Sequence, residues 1–149
     1  MQRQPFSKLP EVAIEIVSNR KGNELTSKKA DYARIGMAYY IVFDPLKQPQ
    51  GKDQLNGSLL KVWKLTAKKY VELPEPFGLE SVGLGLRSWE GTFEAQFELW
   101  LRWCDQQGQV IATGAERADA ESLRANAESL RAERLAEHLR AMGINPDEV

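Results

Sequence analysis

The pattern of apolar and polar positions at the start of the chain predicts a strand followed by a helix. The segment 11–17 is rich in β-branched residues and follows Pro10, which suits the start of a buried strand. After a polar turn, Asn23 is suited to cap a helix, and Gly36 is suited to end one. The spacing of apolar residues between them predicts a helix over 24–35.

Further strands follow this helix. The apolar run 38–43 predicts a second strand that is stopped by a Pro-containing turn, so strand, helix and strand suggest a parallel βαβ unit. The polar segment 46–57 is predicted to be a loop, in which Asn56-Gly57 is suited to close a hairpin. Alternation over 59–65 and 69–73 predicts two antiparallel strands that are half exposed to water.

The last part of the chain changes character. A Gly-interrupted strand over 82–89 and a short strand or hairpin over 97–104 are predicted first. From Thr113 onward Ala, Glu, Leu and Arg dominate, which predicts a long helix that ends at Gly143.

This helix contains a seven-residue repeat, Ala118–Arg124 and Ala125–Arg131. The repeat places four apolar residues on one seam, at positions Ala120, Leu123, Ala127 and Leu130. Leu135, Leu139 and Met142 form a later stripe out of phase with the first. The pattern favours a coiled-coil dimer, and the alternative is a mobile charged tail.

Composition limits the classes of protein to which the chain can belong. Its 149 residues suffice for one modest core, and a formal net charge of -1 gives no global basic field. A lone Cys104 and a lone His138 exclude an internal disulfide and the common zinc motifs. Since no apolar run is long enough for a membrane span and the start lacks a signal peptide, we expect a cytoplasmic protein without a membrane partner.

Glu15 is the first candidate for chemistry. Strand alternation places it on one face with Ala13 and Val17, where a carboxylate among apolar neighbours is costly unless it binds a cation or a hydrogen-bond donor. Lys28 is the second candidate, since the helix returns beside this strand, and Lys29 competes for the same position. The alternatives are a structural ion pair, an exposed strand face and a solvated helix face.

Two other groups of residues admit a nucleic-acid interpretation. The four tryptophans are suited to stack on bases, but without interleaved basic clusters they are predicted to pack in the core; they are Trp63, Trp89, Trp100 and Trp103. A small lysine cluster fits a solvated edge strand as well as phosphate contacts; it comprises Lys61, Lys64, Lys68 and Lys69.

The first forty-odd residues resemble a known family. The residues that carry the resemblance are Pro10-Glu-Val-Ala-Ile-Glu15-Ile-Val-Ser-Asn19, Lys28, Tyr32-Ala-Arg-Ile-Gly36 and Tyr39-Tyr-Ile-Val-Phe-Asp44-Pro45. They are similar to the Uma-two family of bacterial restriction endonucleases, in the PD-(D/E)XK nuclease superfamily. The resemblance implies an α/β fold, with a restriction-endonuclease-like mixed sheet and a βαβ core over 1–112, followed by the charged helix over 113–149.

The resemblance also implies an activity, Mg²⁺- or Mn²⁺-dependent hydrolysis of DNA phosphodiester bonds. Glu15 matches the second acid, which is a metal ligand, and Lys28 matches the position to which the family moves its lysine. The family's first metal-binding Asp lies on a strand upstream of this segment, and Glu11, about 13 Å from Glu15 along the strand, does not replace it. The chain is therefore expected to be the carboxy-terminal part of a family member, through truncation or a misassigned start at Met1, with weak or no activity alone.

Two other functions are compatible with these residues. The first is a non-catalytic interaction protein that uses the terminal helix for self-association or partner binding. The second is a nucleic-acid-binding module without cleavage, for which the near-neutral charge is unfavourable.

Overall fold

A computed structural model describes residues 9–17, 24–46, 55 and 57–148 of the chain, without the side chains of Glu24 and Leu25. The chain divides into two compact units, one ending at Ile111 and the other beginning at Ala112. Both helices and strands are present, which confirms an α/β protein with a long carboxy-terminal helix. The predicted turn at 18–23, with its cap Asn23, and most of the predicted loop over 46–57 lie outside the described residues.

The first unit contains two sheets. Their strands are β1 (Val12–Ile16), β2 (Tyr39–Phe43), β3 (Leu60–Thr66), β4 (Lys69–Glu72), β5 (Phe77–Leu79), β6 (Leu84–Phe93) and β7 (Gln96–Cys104). The first sheet has the strand order β1-β2-β3-β4 and is mixed, because β1 and β2 are parallel and the other pairs are antiparallel. The second sheet is antiparallel with the order β5-β6-β7.

Helix α1 (Glu24–Ile35) has the predicted bounds, and it connects two parallel strands as predicted. Gly36 follows it with a φ of 94°, a left-handed conformation that glycine adopts without steric cost. The amides of Gly36 and Met37 both donate to the carbonyl of Tyr32, at 3.1 Å. This closes the last turn and directs the chain into β2.

Each face of the first sheet contributes to a different core cluster. On one face, Tyr39, Ile41 and Val62 pack with buried residues of the second sheet, among them Leu79. On the other face, Ala13, Tyr40, Val42, Leu55 and Trp63 pack with Tyr32 of α1. All five residues of β2 are buried because β2 contributes to both clusters.

The prediction that β1 is a buried strand is wrong. Within the described part of the chain β1 pairs only with β2, so it is an edge strand of the first sheet. Ile14 is 42% exposed and Ile16 is 61% exposed, on the face opposite Ala13. Apolar residues on both faces suggested a buried strand, but alternation alone does not show which faces other elements cover.

The second sheet is larger than predicted. The strand β6 has 10 residues and β7 has 9, and they form a long hairpin, whereas β5 was not predicted. The prediction of two half-exposed strands fits β4 better than β3, where Val62 is fully buried and Trp63 is 8% exposed.

Glycine 91 of β6 is in close contact with Trp89. A Cβ added at Gly91 would lie 2.0 Å from Trp89 Cη2, and Arg102 Cζ lies 4.7 Å from the centroid of the same ring. Gly91→Ala is therefore expected to displace Trp89 and to lower the free energy of unfolding by about 1–3 kcal/mol in urea denaturation. Gly78→Ala in β5 is the matched control, since no atom lies within 4 Å of its Cβ position. Equal stability of the two variants would contradict this packing.

The second unit contains helix α2 (Gly114–Ala141) and a short 3-10 turn (Pro146–Glu148). The helix begins with a capping box, in which Thr113 Oγ1 accepts from the Glu116 amide and Glu116 Oε2 accepts from the Thr113 amide. As predicted, Gly143 follows the helix in a left-handed conformation with a φ of 77°. None of the residues of α2 is buried. Neither helix in the described part of the chain is long and apolar enough to span a membrane.

Candidate active site

Glu15 and Lys28 lie together, as the sequence suggested. Glu15 lies opposite Val42 in the register of β1 and β2, on the face of the sheet that carries Ala13 and Tyr40. Lys28 Nζ donates a hydrogen bond to Glu15 Oε1, which forms an ion pair. The Glu15 side chain is 22% exposed and the Lys28 side chain 38% exposed, so both remain accessible to a solute.

Lys29, the competing candidate, takes a different position. Its Nζ lies 4.1 Å from the centroid of the Trp63 ring, in a cation–π contact. Burial lowers the pKa of Lys29; the carboxylate of Glu72 opposes this shift, and the ammonium of Lys61 adds to it. Lys28, not Lys29, is therefore the lysine that contacts Glu15.

An aromatic cluster lies beside this ion pair. The ring centroid of Tyr40 lies 5.3 Å from that of Tyr32, 5.5 Å from that of Trp63 and 5.9 Å from that of Tyr70. Its hydroxyl is buried and has no hydrogen-bond partner among the described protein groups. The pKa of Tyr40 is raised well above its ordinary value, mainly by burial and then by the negative charge of Glu15.

Sequence reasoning did not single out Tyr40. The available signal was alternation in β2, since a parallel partner to β1 places every second residue on the Glu15 face. To recognise Tyr40 from this signal, one needs the register of β1 and β2, in which Tyr40 lies opposite Ala13. One also needs to know that α1 packs against that face of the sheet.

The described residues do not fit a Mg²⁺ site. Mg²⁺ requires near-octahedral oxygen coordination, usually with one or two carboxylates and several waters. Across the described ranges no three His, Cys, Asp or Glu side chains are grouped to hold a metal. The Glu15 carboxylate is engaged by an ammonium, and the buried Asp44 accepts a hydrogen bond from the Leu46 amide at 3.1 Å, which stabilises the turn after β2.

Two lysines of the predicted basic cluster are paired with acids. Lys61 lies 3.2 Å from Glu72, and Lys64 lies 3.2 Å from Glu80. The hydrogen bond and negative charge of Glu80 raise the pKa of Lys64. These pairs favour the interpretation of a solvated strand over that of a phosphate-binding patch.

The prediction that the tryptophans pack in the core is confirmed for Trp63, whereas the other three are partly exposed. Trp63 belongs to the cluster that includes Tyr40, and Trp103 packs against the other core cluster, which includes Leu79. Trp100 Nε1 donates to the carbonyl of Gly91 at 2.9 Å, and Trp89 packs against Arg102. Their contacts within the protein explain these residues without a nucleic acid.

A groove of about 840 Å³ lies on the second sheet, away from the ion pair. Its lining includes Phe77, Leu79, Arg87 and Cys104 but neither Glu15 nor Lys28. The Cys104 thiol is buried, and burial raises its pKa, so it stays protonated and unreactive at neutral pH. We therefore place the candidate chemistry at the ion pair and not in this groove.

Comparisons with models of known protein families, with curated proteins and with solved structures found no match. The resemblance to the Uma-two family therefore depends on the motif residues alone.

Proposed function

We propose that the unit ending at Ile111 is a restriction-endonuclease-like domain related to Mg²⁺-dependent DNA endonucleases. The observation that supports this function is the contact between Glu15 on β1 and Lys28 on α1, in a β1–α1–β2 arrangement whose two strands are parallel. These are the residues that match the second acid and the displaced lysine of the Uma-two family.

The chemistry would depend first on Lys28. A partly exposed ammonium can donate to a phosphate oxygen and stabilise the negative charge that develops there during hydrolysis. Glu15 orients this ammonium through their ion pair. Since the described residues supply one carboxylate and not a set of metal ligands, the expected rate of cleavage is low.

Nicking of supercoiled plasmid by the full chain, with Mg²⁺ or Mn²⁺ added, tests this function. Slow nicking is expected. Glu15→Gln and Lys28→Met are each expected to reduce the rate of nicking by about 100-fold. Lys28→Met removes the ammonium that would contact the phosphate, and Glu15→Gln removes the carboxylate that orients this ammonium. Arg34→Met is the matched control, because it removes another ion pair of α1, between Arg34 and Asp31, at an exposed position.

Three outcomes would overturn the proposal. Nicking that persists in both site variants would exclude the assigned roles and indicate a contaminating nuclease. Complete absence of nicking with either metal would exclude catalysis by this chain. Salt-dependent DNA binding without nicking, unchanged in Glu15→Gln, would instead favour a nucleic-acid-binding module.

The exposure of α2 favours a second function, that of a non-catalytic interaction protein. All of its residues remain accessible, including Leu123 at 71% and Leu130 at 53%. Light scattering before and after removal of residues 114–149 tests this function. A monomeric mass for both proteins would exclude self-association through the helix.

A further inference from the structure

We propose that α2 binds a second copy of this chain as a parallel, in-register, two-stranded coiled coil over its repeat. The proposal rests on the second function above, association through α2, and adds its partner, its orientation and its register.

The apolar seam has the spacing that a coiled coil requires. Its four residues, Ala120, Leu123, Ala127 and Leu130, recur at intervals of three, four and three, so they form one stripe along the helix. The two leucines are exposed and no residue of α2 is buried. A second helix laid along this stripe would remove both leucines from water.

The charges beside the seam determine the orientation of the partner. One side carries a row of arginines, at positions 117, 124 and 131, and the other side carries Asp119, Asn126 and Glu133. In a parallel pair each row faces the opposite row of the partner, so that Asp119 of one helix meets Arg124 of the other. In an antiparallel pair each row faces itself, and arginine would lie opposite arginine. The charges therefore favour the parallel arrangement.

In the single helix these charged side chains remain available to pair with a second helix. Arg124 has an intrahelical contact, between its Nε and Glu128 Oε1 at 3.4 Å. Both side chains are at least 70% exposed, and such exposed pairs contribute little to stability. Arg124 can therefore turn toward Asp119 of a second helix at small cost.

The second copy is expected to contact only the repeat. Leu135 comes five residues after Leu130, which rotates it about 140° around the helix axis, away from the seam. Since Leu139 and Met142 follow Leu135 at spacings of four and three, they continue on that other face. The partner helix is therefore paired over roughly two heptads and separates beyond them.

Sedimentation equilibrium of the full chain tests the association, with a dimer of twice 16.9 kDa as the expected species. Leu123→Ala combined with Leu130→Ala is expected to raise the dissociation constant by about tenfold or more, because the seam loses its two large side chains. Alanine is the strongest helix former, so the helix itself is retained. A chain that stays monomeric, or that forms a trimer or tetramer, would overturn the proposal.

Cysteine cross-linking tests the register separately from the association. Under mild oxidation Leu123→Cys is expected to form a covalent dimer with itself, because equivalent seam residues face each other in a parallel pair. Ser122→Cys is the matched control on the neighbouring outward position, and the unchanged chain controls for the buried Cys104. If Leu123→Cys cross-links only when mixed with Ala127→Cys, the pair is antiparallel and the orientation is wrong, although association through α2 stands.

Charge reversal gives a third readout. Asp119→Arg is expected to weaken the dimer severalfold, and the added change Arg124→Asp is expected to restore it, because the swapped pair again has opposite charges. Glu121→Arg alters the net charge equally at a position outside the seam and is expected to leave the dimer unchanged. Equal effects of Asp119→Arg and Glu121→Arg would contradict the proposed pairing.

Discussion

Trp63→Ala is expected to lower the free energy of unfolding of the first unit by about 3–5 kcal/mol, the range for aromatic truncations in protein cores. Trp63 lies on β3, between two neighbouring strands, and only 8% of it is exposed. Its ring stacks on Tyr40 at 5.5 Å between centroids and carries the ammonium of Lys29 on a face. The substitution removes all three contributions together.

The loss is amplified by what remains around the truncated side chain. Lys29 would lose the aromatic face that attracts its charge. Tyr40 would border a cavity on the side where Trp63 now lies, and its hydroxyl has no hydrogen-bond partner in the described protein to hold it in place. Because domains of this size are stable by about 5–15 kcal/mol, the variant is expected to lose a large fraction of the stability of the fold.

Urea denaturation followed by far-UV circular dichroism gives the measurement without depending on tryptophan emission. Phe97→Ala is the matched aromatic control, since Phe97 lies on β7 and is 70% exposed, and a change of less than about 1 kcal/mol is expected there. A loss of similar size in both variants would show that Trp63 does not occupy the core position described above.

Local signals in the sequence were sufficient for the elements around the site. The end of α1 follows from Gly36, because a glycine there adopts the left-handed conformation that ends a helix. The pairing of Glu15 with Lys28 was a hypothesis from strand alternation and helix return, and the side chains do meet. The choice between Lys28 and Lys29 required knowledge of how α1 packs on the sheet. Adjacent helical residues point in different directions around the helix axis, and the sequence does not show which direction faces Glu15.

The pairing of the strands and the positions of two hairpin turns could not be predicted from the local sequence. The β3–β4 turn uses Ala67 and Lys68, and the β6–β7 turn uses Glu94 and Ala95, all with positive φ between 48° and 64°. Hairpin turns of this kind are usually marked by Gly, Asn or Asp, so these hairpins lacked the expected signal. Nor can an apolar strand show from its own residues whether a second neighbour pairs with its other edge, which is why β1 was misjudged.

The stability of the first unit is expected to fall steeply above about pH 10, and Tyr40→Phe is expected to reduce this fall. Burial raises the pKa of Tyr40 in the folded chain, and the charge of Glu15 raises it further. As the pH rises above the unfolded pKa of about 10, the unfolded chain releases the tyrosine proton while the folded chain retains it. The free energy of unfolding then decreases by up to about 1.4 kcal/mol per pH unit, until the pH passes the folded pKa.

Four other groups with shifted pKa values titrate at alkaline pH. The pKa values of Tyr70, Cys104 and Lys64 are also raised, which adds to the loss of stability, and the lowered pKa of Lys29 acts in the opposite direction. All four groups remain in Tyr40→Phe, so the difference between this variant and the unchanged chain isolates the contribution of Tyr40. Tyr70→Phe serves as the comparison, because its hydroxyl donates to the carbonyl of Met37 at 2.9 Å.

Urea denaturation from about pH 8 to about pH 11.5 distinguishes the two tyrosines. At neutral pH, Tyr70→Phe is expected to cost about 1 kcal/mol through its lost hydrogen bond, whereas Tyr40→Phe is expected to be neutral or stabilising because its hydroxyl has no partner among the described groups. Above about pH 10 the stability of Tyr40→Phe should decline less steeply than that of the unchanged chain. Parallel pH profiles would show that Tyr40 ionises freely in the folded protein, and the buried hydroxyl beside Glu15 would then be wrongly placed.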